Sequence, residues 1–360
     1  MKKILTYSLL LFITITLLAT ETTKKDYKLI HADNATVIKQ ASGYVSRLEG
    51  NVHFFYSDVE YHCNKAMIYE GREFAYMDGD VRAKVDTLDV VADSISYNKA
   101  LNTLYMKGDI EIREYKDKEL IREFYSDRGE FNRDAEFLKV IDNVRTFSYT
   151  DSIAATCGYA EYNHGTGYGF MRINPVLTLT KQDSAKIIAE KIEFFHNFNK
   201  YVASFDVQMD YNDIKTVSNF LLYFSEEDKA ILTGNPVFYS DFATAKAEEF
   251  TLYLSDKKLD KAFLNRDCSV YYASEEGEEK NNWVKSDEME LIFDGSNMKE
   301  FVARDNVSYF YDQPEEKENS KDAIQVFSEG DELSILFEGK NKVKSLKLNG
   351  RINGKYRFLN

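Results

Sequence analysis

From Gly79, Val81, Ala83 and Val85 fall on one side of an extended chain, while Asp80, Arg82, Lys84 and Asp86 fall on the other. A period of two is the signature of a strand with one covered face and one wet face. The pattern begins again at Gly108, where "GDIEIREY" follows "GDVRAKVD" after 29 positions. Taking the aliphatic residue after each Gly, Asn or Asp turn as an anchor gives Val52, Val81, Ile110, Val144, Val176, Val207, Val237, Val270 and Val307. Successive gaps are 29, 29, 34, 32, 31, 30, 33 and 37, and a looser copy ends at Ile352. A second phrase alternates with the first: a small or acidic pair, then alternating residues ending on an aromatic and a polar turn. It stands as "CNKAMIYEG" from Cys63, "ADSISYNK" from Ala92, "CGYAEYNH" from Cys157 and "SDEMELIFDG" from Ser286.

Each period thus holds two strands, and the turn-forming Gly, Asn and Asp residues are expected where the chain reverses. A unit of this size cannot bury its apolar face alone, so stacked neighbours must cover it. The expectation is an all-β fold of stacked, bent antiparallel strands repeating about every 30 residues. Roughly 20 strands about 4.8 Å apart make a rod on the order of 90 Å long. Residues 27–360 are expected to form that single elongated domain.

Composition agrees. Tyr and Phe number 25 each against 3 Pro and 1 Trp, a balance that favours strands over helices. The net charge of −14, from 60 acidic and 46 basic side chains, repels a phosphate backbone, so nucleic acid is a poor partner. The acids are spread along outward positions, and the denser runs from Ser274 and Asp312 read as exposed loops. Residues 1–20 carry two lysines and then an apolar stretch, the form of a secretory signal. Leu17-Leu18-Ala19 is a poor cleavage site, which leaves both a removed signal and a retained single anchor open.

Candidate chemistry is sparse. The five histidines, His31, His53, His62, His164 and His196, show no HExxH and no pair at helical ligand spacing, so no metal is expected. "HGTGYGF" from His164 lacks the spacing and the Lys of a phosphate loop, and there is no GxSxG elbow. Acid pairs such as Asp86 with Asp89 recur at outward positions in most units, which speaks for solubility. The chain is read as a non-enzyme without a cofactor. Cys63 and Cys157 lie three periods apart, roughly 25 to 30 Å, and Cys268 lies further along; a disulfide needs Cα atoms within about 7 Å. Three free thiols are expected.

The series "LEGNVHFFYSDVEYHCNKAMIYEG" from Leu48, "MDGDVRAKVDTLDVVADSISYNK" from Met77 and "MKGDIEIRE" from Met106 resembles the OstA-like (LptA-type) family of lipopolysaccharide transport proteins. The likeness is sharpest from Ile30 to Tyr115 and keeps only the period toward Asn360. This chain has more repeats than a short carrier and no C-terminal outer-membrane barrel segments. The resemblance implies a β-jelly roll whose two sheets enclose an acyl-chain groove, in a periplasmic carrier or bridge taking lipopolysaccharide or a related glycolipid toward the outer membrane. Groove candidates are then the inward residues Val52, Phe54, Val81, Ala83, Val85, Ile110, Ile112, Val144, Val176, Val207 and Val237. An open stack leaves unpaired strand edges at both ends. Leu29, Ile30 and Val37 at one end, and Tyr356 and Phe358 at the other, are candidates for strand addition to like subunits or other bridge components. The rival readings are a structural or adhesive rod with a dry interior, and a β-solenoid carbohydrate enzyme, which needs converging carboxylates.

Overall fold

A computed structural model describes residues 27–180, 185–211, 214–240, 243–255, 258–273, 279–294, 297–313, 323–338 and 342–359. The proposed signal at 1–20 and most of the two acidic runs, at 274–278 and 314–322, lie outside the described residues. Among those described there is no α-helix, only two short 3-10 turns at Glu70–Arg72 and His196–Phe198. The first strands are β1 (Tyr27–His31), β2 (Asn34–Gln40), β3 (Gly43–Tyr56), β4 (Val59–Tyr69), β5 (Phe74–Val85), β6 (Leu88–Asn98), β7 (Thr103–Lys116), β8 (Glu119–Asn132), β9 (Phe137–Ser148) and β10 (Ile153–Asn163). Shorter strands follow: β11 (Tyr168–Arg172), β12 (Val176–Leu179), β13 (Ala185–Ile188), β14 (Lys191–Phe195), β15 (Lys200–Tyr211), β16 (Ile214–Phe224), β17 (Lys229–Thr233), β18 (Val237–Tyr239), β19 (Ala243–Lys246) and β20 (Glu249–Ser255). The last are β21 (Lys258–Tyr272), β22 (Asn282–Asp294), β23 (Asn297–Gln313), β24 (Ala323–Glu338), β25 (Lys342–Asn349) and β26 (Asn353–Leu359).

Every pairing is antiparallel, and the strands run through two ladders. One ladder proceeds β1-β3-β4-β5-β6-β7-β8-β9-β10-β12-β13-β15-β16-β18-β19-β21-β22-β23-β24-β26. The other starts at β2, ends at β25, and runs through β11, β14, β17 and β20 where the first uses β12, β13, β18 and β19. Long strands belong to both ladders at once, bending from one into the other. This is a two-sheeted jelly-roll arrangement of bent, stacked strands, as the repeat implied.

The Gly/Asn/Asp positions, however, do not reverse the chain. They sit in mid-strand, at the bend, as paired left-handed residues: Gly50-Asn51, Gly79-Asp80, Gly108-Asp109, Asp142-Asn143 and Asp305-Asn306 all have positive φ. The register slips there, between Glu49 and Val52 or between Asp78 and Val81, as a bulge requires. The reversals lie elsewhere, for example at Ser57-Asp58 and Asp86-Thr87 between β3 and β4 and between β5 and β6. Where Gly holds the first left-handed position, the facing side chain of the neighbouring strand crowds it. A Cβ on Gly108 would stand 2.1 Å from Asp93 Oδ2, and one on Gly79 2.7 Å from Asn64 Nδ2. The second repeating phrase is therefore the partner of the first: its acid or amide caps the bend, as where Asn143 Nδ2 donates to Asp127 Oδ2 at 2.7 Å. One unit exchanges the roles. Ile173 takes the left-handed position, and the facing residue is Gly158, where a Cβ would meet Ile173 Cγ2 at 2.6 Å.

Between β11 and β20 the bend splits four strands, into β11 and β12, β13 and β14, β17 and β18, and β19 and β20, while β15 and β16 cross it whole; Pro175 and Pro236 enter two of the splits. A proline adds no N–H to the ladder, which suits an irregular corner.

Candidate functional site

Beside the bend, each ladder carries one continuous row of inward side chains. The first runs Phe54, Tyr61, Ala83, Val90, Ile112, Phe124, Thr146, Ala155, Leu177, Ile187, Met209, Thr216, Phe238, Ala245, Val270, Val284 and Tyr309. The second runs Leu48, Ala66, Met77, Ile95, Met106, Gly129, Val140, Ala160, Met171, Ile192, Ala203, Leu221, Leu232, Phe250, Leu264, Met289, Ala303 and Leu333. Cross-strand pairing puts all of each row on one face, and both rows are apolar apart from Thr146 and Thr216 in the first.

Two residues further from the bend the two halves of the molecule differ. In the N-terminal units these mouth positions hold Tyr56, Val59, Val85 and Leu88 on one side and Ile68, Ala75, Tyr97, Leu104 and Leu138 on the other, all buried. The interior there is filled with side chains to the mouth. It is also latched. Arg133, in the turn between β8 and β9, reaches across to the turns of the other ladder, donating to both oxygens of Asp58 at 2.8 Å and to those of Asp86 at 2.8 and 3.0 Å. The guanidinium bonds hold the Asp58 carboxyl below its ordinary range and push Arg133 up. Two bidentate pairs share one cation, the strongest form of charge-assisted bond.

The closed stretch ends at a buried polar cluster. Glu114 accepts from Arg122 Nη1 at 2.9 Å and bonds His164 Nδ1 at 3.0 Å, so β7 and β8 are tied to the turn after β10. Burial alone would raise the Glu114 carboxyl. The His164 bond and the Arg122 charge outweigh it, and the carboxyl lies below its usual 4.5. Arg122 also covers the Tyr162 ring, its guanidinium carbon 4.6 Å from the centroid. Beside this cluster lies a cavity of about 60 Å³, lined by Arg122, Phe124, Leu138, Ile153, Ala155, Tyr162, Phe194, His196 and Tyr201 among others. His196 is held below its ordinary pKa by burial and by the Arg122 charge, so it packs as a neutral ring. Burial, with Asp151, pushes the Tyr201 hydroxyl up to about 12.

Beyond the cluster the mouth loosens. At the mouth Ile153, Leu179, Phe194, Tyr223, Ala243, Leu252 and Tyr272, and in the first row beside the bend Ile187, Met209 and Phe238, pack against the core but stay partly exposed. Between them the buried positions mix alanines, such as Ala155, Ala160, Ala203, Ala230, Ala245 and Ala262, with larger residues, such as Met171, Leu177, Ile192, Leu221, Leu232 and Phe250. Partly covered apolar side chains recurring along these consecutive strands outline a shallow trough. In the filled N-terminal stretch the corresponding positions are buried.

The sequence-derived groove candidates divide accordingly. Val52, Phe54, Val81, Ala83, Val85, Ile110, Ile112, Val144 and Val207 all point inward and are at most 4% exposed, so they stand in the floor or the filled core. Val176 and Val237 do not share their phase. Proline occupies the position after each left-handed pair, at Pro175 and Pro236, and shifts the anchors by one; Leu177 and Phe238 take the inward places. Val270 is displaced too, since Cys268 follows the left-handed Arg266-Asp267 pair. The rim residues, together with Glu114, Arg122 and Arg133, were missed. Their one local signal is the run of inward alanines from Ala155 onward.

The three cysteines are buried and unbridged, with Cys63 on β4 and Cys157 on β10 facing Val52 and Val144 across the bend. Burial pushes their thiols up to about 12, 11 and 12 for Cys63, Cys157 and Cys268. At the two ends, among the described residues, β1 and β2 pair only with β3, and β25 and β26 only with β24. Leu29, Ile30, Val37, Tyr356 and Phe358 are exposed there.

No protein-family model matches the chain, and no curated protein matches it. Among solved structures it is similar to that of LptH, the LptA-homologous periplasmic component of the lipopolysaccharide transport device from Pseudomonas aeruginosa. The similarity has 11% identity and a TM-score of 0.19, over 38% of this chain and 76% of that one.

Proposed function

We propose that the protein is a periplasmic carrier or bridge that shelters the acyl chains of lipopolysaccharide, or of a related glycolipid, on the way to the outer membrane. The observation that carries this reading is the trough from Ile153 to Tyr272, where an apolar interior of two sheets is left partly uncovered along many consecutive strands. Each methylene moved from water into such a trough is worth about 0.8 kcal/mol, so acyl chains are held without a polar contact or a catalytic group. The motif series from Leu48 to Tyr115 supports the same family of functions. The unpaired edges at β1, β2, β25 and β26 suit strand addition to like subunits or to flanking bridge components, which would continue the trough past one chain.

The filled N-terminal stretch favours a second role for that part alone: a rigid, dry spacer between the terminal edge and the trough. An apolar fluorophore displaced by lipopolysaccharide tests the carrier reading. Wild type is expected to bind and release it saturably, and Ile187→Trp with Ala243→Trp, which fill the partly covered positions, to lose most of that signal while melting normally. Lipopolysaccharide that displaces nothing from the wild type, or equal binding by the filled variant, contradicts the reading.

A further inference from the structure

Three of the five histidines fall in one cross-strand row on the outer face of the first units. On β3, His53 is paired with His31 of β1 on one side and with His62 of β4 on the other. The β3–β4 hairpin turns back at Ser57-Asp58, which also brings Glu60, two residues before His62, onto the same face. The Glu60 Oε1 atom stands 2.9 Å from His53 Nε2 and 3.5 Å from His62 Nε2, and the two imidazoles lie nearly parallel with centroids 4.0 Å apart. One donor atom from each of the three side chains lies within 4.8 Å of the other two.

We propose that His53, Glu60 and His62 bind one divalent first-row metal ion of the zinc-to-copper class. Imidazole nitrogen and carboxylate oxygen hold zinc at about 2.0 to 2.2 Å, which places tetrahedral donors roughly 3.4 Å apart. The three atoms already bracket that spacing, on strands whose register fixes them. Two histidines and one carboxylate are the donor set suited to zinc, nickel or copper. Lys84 and Arg82 of β5 face Glu60 and His62, and Lys28 of β1 lies opposite Phe55. These cations work against a site that depends on charge alone, as for magnesium or calcium, and leave imidazole coordination as the source of affinity. His53 is about three-quarters covered, while His62 is half exposed, so the open positions of the ion face solvent. A water, His31, or a donor from a neighbouring molecule completes the shell. The ion would pin the hairpin on which both terminal edge strands are registered.

The test uses the untagged full chain titrated with Co²⁺, whose visible absorption reports tetrahedral nitrogen and oxygen donors, and with Zn²⁺ in competition. Mg²⁺ serves as a control. Wild type is expected to bind one ion, with a melting midpoint that rises with added Zn²⁺ and is indifferent to Mg²⁺. Separate variants His53→Ala, His62→Ala and Glu60→Gln should each weaken binding by at least about tenfold and abolish the Zn²⁺-dependent rise. The exposed His62→Ala should melt like wild type without metal, so its result does not depend on damage to the fold. Absence of saturable one-to-one binding at millimolar metal overturns the proposal. So does one-to-one binding that His62→Ala and Glu60→Gln leave within about threefold of wild type.

Discussion

The N-terminal units and the middle of the molecule use the same bent strand and the same inward rows, yet one is filled and latched and the other is open. Near the bend the two are alike: Met77 and Ile95 in the first region and Ile192 and Leu232 in the second are equally buried. The difference lies two residues out. Tyr56, Val85, Tyr97 and Leu104 close the first mouth, and Arg133 ties its edges to Asp58 and Asp86. In the second, Ile153, Phe194 and Tyr223 stay partly exposed, and the first two line a cavity of about 60 Å³. One repeat can therefore be filled to its mouth or left partly uncovered. How completely the mouth is covered separates the two, since filling a space to native density removes the room a ligand would need.

Truncation should separate the regions most sharply. Phe54→Ala in the filled part is expected to cost about 3 to 5 kcal/mol in urea unfolding, whereas Phe194→Ala at the rim should cost less than about half of that. Equal losses would mean that the middle is packed as tightly as the start. The bends come next. Gly108→Ala places a Cβ against Asp93 at positive φ and should cost about 2 kcal/mol, while Asn174→Gly in the broken bend should stay within about 0.5 kcal/mol of wild type. Arg133→Ala opens the latch. Its carboxylate partners are largely solvated, so about 1.5 kcal/mol is expected, with faster amide exchange in the turns at Asp58 and Asp86.

The smallest effect is a pH dependence at the boundary between the regions. The Glu114 carboxyl in the fold lies below its unfolded value of 4.5, so its contribution to stability is complete above that value and is lost as pH falls through the lowered one. Wild type should lose stability between pH 5 and lower values more steeply than Glu114→Gln, measured by unfolding midpoints, and parallel curves would remove Glu114 from the account.

Much of this was legible in the chain. Alternation in "GDVRAKVD" identified the inward face, and the 29-residue recurrence identified the stack. Local pattern misassigned the Gly-Asp pair, because a left-handed pair serves a turn and a mid-strand bend equally well. It misplaced Val176 and Val237 because Pro175 and Pro236 shift the phase by one, a displacement visible only against the partner strand. Alternation also says which residues face inward without saying whether they meet. The closeness of His53, Glu60 and His62, and of Glu114 with His164 across 50 residues, is set by strand register and by the fold of one sheet over the other. Neither is a property of spacing along the sequence.

The most direct measurement places a photoreactive phenylalanine analogue in turn at Val81 and Ile112 in the filled stretch and at Ile187 and Phe238 in the trough. After irradiation with lipopolysaccharide, the adduct is expected at Ile187 and Phe238 and absent at Val81 and Ile112. Adducts of equal yield at all four positions, or at none, would contradict a carrier with a dry spacer at one end and a lipid trough beyond it.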